Sequence, residues 1–475
     1  MAGIFTSGET KTRPGVYFRT IKNDNVVQAE NIAGIVAIAL RANWGPLGEV
    51  RTLESEAEIY GLYGDDSAAG SYTALIRKAL MGGAARVKVV RVGTGGTKAA
   101  ITLKDTTGGT PVSVITLTAK YAGTRPLSVT IRDSLADPTN KRECIIYTGT
   151  KELTKVEFAK GSAEVDALVA AIAANGASAV TAAKLAAGNG TLADLTQTAF
   201  TTVGASPTIT NTDYSNAFTL LEAESWKVLC VDSVDTTVHA LVSAFITRAN
   251  ASGILGIAVI SEPKSVALAT RKADAAAFNS HNVVYVLNGA YFGTTLYEGA
   301  DIAAVIAGLI AAMPTSNSVT HKAVPNMSAI AESFTNTEIE EALKSGCLVL
   351  TTSSAGTVWV EQGINTLVTL GAEQDAGWKK IRRTMCRFEL ITRANAGTEG
   401  IVGQISNDKS GRATIIAAVQ SVINAMIAEG KLVSGRVYED PNNIATGDSA
   451  WFVIEAEDLD SIEKVYMTYG FSFSN

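Results

Sequence analysis

Ile32-Ala-Gly-Ile-Val-Ala-Ile-Ala-Leu40 is an uncharged, apolar run that ends at a turn built from Trp44-Gly45-Pro46 and Gly48. A short continuous apolar run bounded by turn residues reads as a buried strand. Downstream, Ser55 followed by Glu58 matches a capping box that opens a short helix, with a stop expected near Gly61. A second helix is expected from Ala68 to Met81, halted by Gly82-Gly83, and a strand from Val87 to Val92. Strand, helix, helix, strand is the rhythm of an α/β domain.

The same rhythm resumes far along the chain. Strands are expected at Trp226–Val231, Gly256–Ile260 and Val283–Leu287, and an apolar helix from Asp301 to Met313 before Pro314. A further helix is placed after Thr337, with Glu340 as its capping partner and Gly346 as its end. Strands are expected at Cys347–Thr351 and Val358–Glu361. Between the two α/β stretches the composition changes. After Gly93-Thr94-Gly95-Gly96, short runs rich in Thr, Val and Ile (99–104, 112–118, 127–132, 143–148) read as a small β-domain inserted into the α/β chain. An Ala-rich segment with one helix, Ala163–Ala174, leads back. The expected division is an arm at 1–20, an α/β domain from 21–92 and 206–370, the β-rich insertion at 93–205, and a C-terminal unit at 371–475.

That last unit is α+β. Helices are expected at Ala376–Ala394 and Lys409–Ala428. In the second, Ile415, Ile416, Val419, Val422, Ile423 and Met426 lie on one face. Strands are expected at Leu432–Glu439 and Ala450–Ala456. The chain then closes on Val465, Met467, Tyr469, Phe471 and Phe473, alternating with Lys464, Tyr466, Thr468, Gly470 and Ser472. A long strand at a chain end, apolar on one face, is an aggregation hazard unless a partner covers it. Pairing within its own sheet is one reading; donation of residues 462–475 to a neighbouring subunit is the other. Gly15, Val16, Tyr17 and Phe18 form a second candidate donor, and Val437, Phe452 and Ile454 mark the sheet that would receive one.

Composition narrows the function. Charged residues are 18% against 47% hydrophobic, a surface poor in charge that suits packing against copies of itself. Net charge is −6, so nothing global invites nucleic acid. Lys379, Lys380, Arg382, Arg383 and Arg387 form one basic cluster, either a solvated helix face or a contact with an acidic partner. Cys144, Cys230, Cys347 and Cys386 are scattered and read as free thiols, with Cys230 and Cys347 in apolar runs. No leader is recognised at the start, and the longest apolar run, Ile302–Met313, is too short to span a bilayer. No metal, nucleotide or other cofactor motif is found: there is no phosphate-binding Gly-Lys-Ser/Thr loop, and Asp232 with Asp235 are too few for a metal. Gly188-Asn189-Gly190 reads as a flexible loop, since no strand precedes it.

Several elements together resemble the contractile phage tail sheath family. Arg13-Pro14-Gly15-Val16-Tyr17 is similar to its N-terminal element, and Val36-Ala37-Ile38 through Asn43-Trp44-Gly45-Pro46 to its first strand and turn. Ala304-Val305-Ile306-Ala307-Gly308-Leu309 followed by His321-Lys322-Ala323-Val324-Pro325-Asn326 resembles a family helix and turn. Trp359-Val360-Glu361-Gln362-Gly363-Ile364-Asn365-Thr366-Leu367 and Lys379-Lys380-Ile381-Arg382-Arg383 resemble the elements that follow, although Val324 stands where the family more often has Pro. The resemblance implies a non-enzymatic structural subunit with a central domain of subtilisin-like topology and strand-donating arms. It implies hexameric rings stacked helically around a tail tube, with baseplate and tail terminator proteins as further partners. The extended sheath is then metastable, and its contraction drives the tube through a cell envelope. Assembly in a host bacterial cytoplasm and residence in the virion follow, with no direct nucleic-acid contact and no membrane insertion. On that reading the basic cluster faces the tube. The alternative is a soluble α/β hydrolase-type enzyme carrying an inserted β-domain. A dense set of polar groups at strand C-termini would favour it, and the sequence displays none. The histidines are His239, His281 and His321, and no serine-protease motif surrounds any of them.

Overall fold

A computed structural model of the chain describes residues 2–4, 16–18, 34–64, 68 and 70–471. At the start, β1 (Ala2–Ile4) pairs in parallel with β2 (Val16–Phe18), Gly3 opposite Tyr17. Gly15 lies outside the described residues. Then come β3 (Ile35–Leu40), β4 (Val50–Leu53), α1 (Glu56–Tyr63), α2 (Ala74–Gly82) and β5 (Arg86–Arg91). The expected capping box does not close: Ser55 Oγ donates to the Glu58 carboxylate at 2.8 Å but accepts no backbone amide of the helix. The helix runs past Gly61 and stops at Gly64, whose φ of 87° is the left-handed value a glycine supplies at low cost.

Residues 100–199 build two small sheets. The strands are β6 (Ala100–Lys104), β7 (Ser113–Ala119), β8 (Ser128–Asp133), β9 (Lys141–Thr148) and β10 (Lys151–Ala159). After α3 (Glu164–Ala174) come β11 (Val180–Lys184) and β12 (Leu195–Ala199). One sheet has the order β10-β9-β8-β12 and the other β11-β7-β6; a shared core that includes Val114, Leu117, Ile146, Phe158 and Leu168 fills the space between them. The entry and exit strands run side by side, Thr94 bridging Thr208, Thr97 bridging Ala205 and Ala100 bridging Thr202. Trp44 packs into this core, and Arg91, 1% exposed, donates to the carbonyls of Ala42, Gly45 and Ala122 at 2.7–2.9 Å. The Gly188-Asn189-Gly190 loop is pinned rather than loose: the Asp105 carboxylate accepts from the Asn189 amide at 2.8 Å.

The chain returns through α4 (Asn211–Leu221), β13 (Val228–Val231), α5 (Thr236–Ala251), β14 (Ile257–Ser261), α6 (Leu268–Phe278) and β15 (Val283–Val286). A hairpin, β16 (Ala290–Phe292) and β17 (Thr295–Tyr297), precedes α7 (Ala300–Ala312). Next are β18 (Ala329–Ile330), α8 (Asn336–Lys344), β19 (Cys347–Leu348), β20 (Leu350–Thr352) and β21 (Val358–Val360). The capping box of α8 uses Thr335 and Glu338, two residues before the expected pair.

Seven strands form the central sheet, in the order β19-β15-β14-β13-β3-β5-β4, parallel except for β4. The opening run of the sequence is thus its middle strand, fully buried because helices cover both faces. On one face α7 lies almost wholly buried and crosses α2 at Gly82 and Gly308. A Cβ on Gly308 would sit 2.1 Å from the Ala79 carbonyl oxygen. On the other face Phe218, Trp226 and Phe245 stack beneath α4 and α5.

The C-terminal unit begins with a 3₁₀ turn, Ala376–Lys379, followed by α9 (Ile381–Glu399) and α10 (Lys409–Ala428). It ends in a hairpin of β22 (Leu432–Glu439) and β23 (Phe452–Asp458), with Val437 opposite Ile454. The apolar face of α10 meets α9 and the hairpin through Val419, Ile423 and Met426. All four cysteines are free and buried, and burial pushes the Cys347 and Cys386 thiols up to about 12 and 11.

Candidate assembly site

Two regions bear on a candidate site. The first lies at the carboxyl ends of the central parallel strands, where α/β proteins usually place their sites. Contrary to the reading of the sequence, polar groups do gather there: Asp232 after β13, Glu262 after β14 and Asn288 after β15. Each is held by a structural bond. Asp232 accepts from the Arg41 amide and guanidinium at 2.7 Å and from the Tyr214 hydroxyl at 2.5 Å. Glu262 accepts from the Tyr285 hydroxyl at 2.5 Å, and burial lifts its carboxyl above the usual range. Asn288 bridges to the backbone of Leu350. Asp235 caps α5 by accepting from the Thr237 amide. His239 bonds the Ser233 carbonyl, and burial keeps its ring below the ordinary histidine value. No group of three or more metal-ligating side chains occurs among the described residues.

The second region is where the C-terminal hairpin, its tail and the start of α9 meet. Val437 is buried, Phe452 half-buried and Ile454 exposed although it lies opposite Val437 on the same face, so β22 packs on α10 while much of β23 is left toward solvent. Among the described residues no third strand joins β22 or β23, which leaves both edges of this sheet open. Beyond β23, residues 459–471 make no ladder. The expected closing strand therefore has no partner within the described chain. Val465, Met467, Tyr469 and Phe471 are 67–85% exposed, and Phe473 lies outside the described residues.

The five basic residues turn inward. Arg383 grips Asp458 through Nε and Nη2 at 2.6 and 2.5 Å, a bidentate bond that raises its pKa further. Lys380 donates to Asp460 at 2.6 Å and sits 3.3 Å from Glu463. Burial presses Asp460 toward neutrality, but the Lys380 ammonium and the Ser461 amide outweigh it and hold the carboxyl below its usual range. Arg387 stacks on Trp378 with its guanidinium carbon 4.2 Å from the ring centroid. Burial lowers its pKa, and Asp458 and Asp375 lie 3.8 Å away. Arg382 is buried against the Ser316 carbonyl, and Lys379 donates to that of Val368. Spacing within the sequence exposed the cluster but not these partners, which lie up to 83 residues away (463 minus 380).

The chain combines an α/β body, a β-rich insertion and an open-edged hairpin with an exposed tail. Two family models match it: phage tail sheath protein central domain over residues 208–366, and tail sheath protein Gp18 domain III N-terminal region over 33–92. Both matches fall on the α/β body, which is thus similar to the central and domain III regions of tail sheath proteins. A crystal structure of a sheath tail protein from Desulfitobacterium hafniense shares the fold at 21% identity, covering 94% of this chain and 100% of that one with a TM-score of 0.68. A sheath tail protein from Listeria innocua does so at 20% identity, 90% and 95% coverage and a TM-score of 0.66. The helical sheath of the anti-feeding prophage in its contracted state aligns over 97% of this chain and 99% of its own at 11% identity, with a TM-score of 0.55. No curated protein sequence matches.

Proposed function

We propose that the chain is the subunit of a contractile sheath that stacks as hexameric rings, helically, around a tail tube above a baseplate, and that its subunits are linked by donated strands. Residues 462–475 and the arm at Gly15–Phe18 are the donors, and the β22–β23 hairpin of a neighbour is the acceptor. The observation that carries this reading is the pairing of an open-edged two-stranded sheet with an extended tail whose alternate apolar side chains face solvent. A lone hairpin is a marginal sheet, and a third strand completes it. Backbone bonds would set the connection, and Val465, Met467, Tyr469 and Phe471 would set the register. On this reading the energy of contraction is a difference in packing between two lattices, and the body, the inserted β-domain (93–205) and the C-terminal unit (371–475) move as rigid pieces. The parallel sheet under two helical layers supports the subtilisin-like topology of the body. A tube-facing role for Lys379, Lys380, Arg382, Arg383 and Arg387 would require these cations to share their internal partners.

Deleting residues 462–475 tests the proposal. The truncated chain should remain a folded monomer by analytical ultracentrifugation and circular dichroism and should form no tubes in negative-stain micrographs. Normal tubes from the truncated protein would rule strand donation out.

A further inference from the structure

The tail root reverses the usual pattern of burial. Between Asp458 and Phe471 two carboxylates are inside and the apolar side chains outside: the Asp458 and Glu463 side chains are 9% and 8% exposed, with Asp460 at 38% on the rim, while Ile462 beside Glu463 is 87% exposed. Glu463 accepts from the Thr320 hydroxyl at 3.0 Å, the Ser318 hydroxyl at 3.4 Å and the Gln362 amide at 3.1 Å, in addition to its Lys380 contact. Asp460 takes the Lys380 ammonium and Asp458 the Arg383 guanidinium, with Arg387 behind it. The Leu459 amide donates to the Lys431 carbonyl at 3.1 Å. Three carboxylates in six residues are thus fixed to the start of α9 and to two loops of the body, whereas beyond Glu463 the described residues share one hydrogen bond among themselves, Tyr469 to Met467.

We propose that Lys380, Arg383 and the Ser318–Thr320–Gln362 pocket form a clasp that fixes Asp458, Asp460 and Glu463 to the subunit's own body, so that the movable part of the C-terminal arm starts at Lys464. The mechanical sense follows from the ladder. Asp458 is the last residue of β23 and pairs with Leu432 at the base of the hairpin. A pull on an unclasped tail would peel β23 from β22 one pair at a time, starting there. With the clasp closed, tension applied at Lys464 passes into α9 and the body, and the hairpin that receives a neighbour's strand is left undisturbed. The inference rests on the strand-donation reading for its purpose but not for its geometry.

Amide hydrogen exchange followed by mass spectrometry separates the two. In the full-length chain the Leu459 amide, bonded to the Lys431 carbonyl, should slow exchange of the 459–463 segment both before and after polymerisation, whereas 464–471 should gain protection only on polymerisation. The double variant Lys380→Ala/Arg383→Ala should speed exchange at 459–463 on the order of tenfold or more, as loss of one side of a largely buried ion pair does. Exchange within α10 should stay unchanged. Glu463→Gln, which keeps the shape and removes the charge, should give a smaller rise and guards against a misfolded double variant. Fast exchange at 459–463 in the wild-type chain, or no change in either variant, overturns the clasp. Failure of 464–471 to gain protection on polymerisation overturns strand donation and leaves the clasp standing.

Discussion

Replacing Gly308 by Ala should unseat the helix that supports the central sheet. The new Cβ would lie 2.1 Å from the Ala79 carbonyl oxygen, where 3.4 Å is the start of ordinary contact, so α7 and α2 would have to part by about 1.3 Å. Gaps of ~0.5–1 Å already forfeit a quarter to a half of a dispersion contact. Since Ile302 to Ala311 are buried on every side, α7 has nowhere to retreat without opening such gaps. Overpacking of this kind costs about 1–3 kcal/mol, and the ~1 kcal/mol that Ala gains over Gly in helix propensity offsets only part of it. Gly397→Ala in α9 is the matched control: its Cβ would meet only Val422, at 3.5 Å, so the propensity gain should appear alone. Urea unfolding followed by tryptophan fluorescence, with Trp226 reporting from the sheet core, should place the Gly308→Ala midpoint below the wild type and the Gly397→Ala midpoint at or above it. Equal midpoints for the two variants would refute the close-crossing argument.

Two further outcomes follow from buried polar groups. Arg91→Met should destabilise the chain by roughly 3–5 kcal/mol, because it leaves the carbonyls of Ala42, Gly45 and Ala122 without donors beneath the insertion; thermal unfolding of the two proteins compares them directly. Burial lowers the Arg91 pKa only to about 10, so the guanidinium is charged at neutral pH. Asp105 is held down to about 2 from an ordinary 3.8, because although burial pushes it up, bonds from Thr107, Val112 and Asn189 prevail. A depressed folded-state pKa stabilises above the unfolded value and is lost as pH falls through the folded one. The stability gap between the wild type and Asp105→Asn should therefore be constant above about pH 5 and close between about pH 4 and pH 2, read as melting temperature against pH.

Much of the α/β body was legible because its strands are short continuous apolar runs, which only a two-sided burial explains; Ile35–Leu40, Val228–Val231 and Val283–Val286 fell where expected. Helix α10 was legible in its bounds and its apolar face; its cap is Asp408, which accepts from the Gly411 amide at 2.7 Å. Other elements were hidden. The longest strand of the insertion, Lys151–Ala159, buries only Thr154, Val156 and Phe158 between charged residues, and its weak alternation escaped notice. The run at 347–351 looked like one strand but serves two sheets, β19 beside β15 and β20 beside β21. At the candidate site, the tail's alternation was visible but its partner was not, since the sequence of one chain does not say which chain a strand joins. The clasp was invisible because its ion pairs join positions 75–83 residues apart, and a row of arginines and lysines looks the same whether it faces solvent or its own carboxylates.

The narrow neck of the insertion has a practical consequence. Its two backbone strands leave the body side by side, with the Thr94 amide 2.9 Å from the Thr208 carbonyl, so the chain could be cut and rejoined there by a turn of a few residues. Such a splice removes the Ala122 carbonyl from Arg91 and uncovers Trp44, and both would need replacement by residues that tolerate water. With that repair the neck becomes a socket, where a foreign module whose ends lie close together could be displayed on the subunit without rerouting the central sheet.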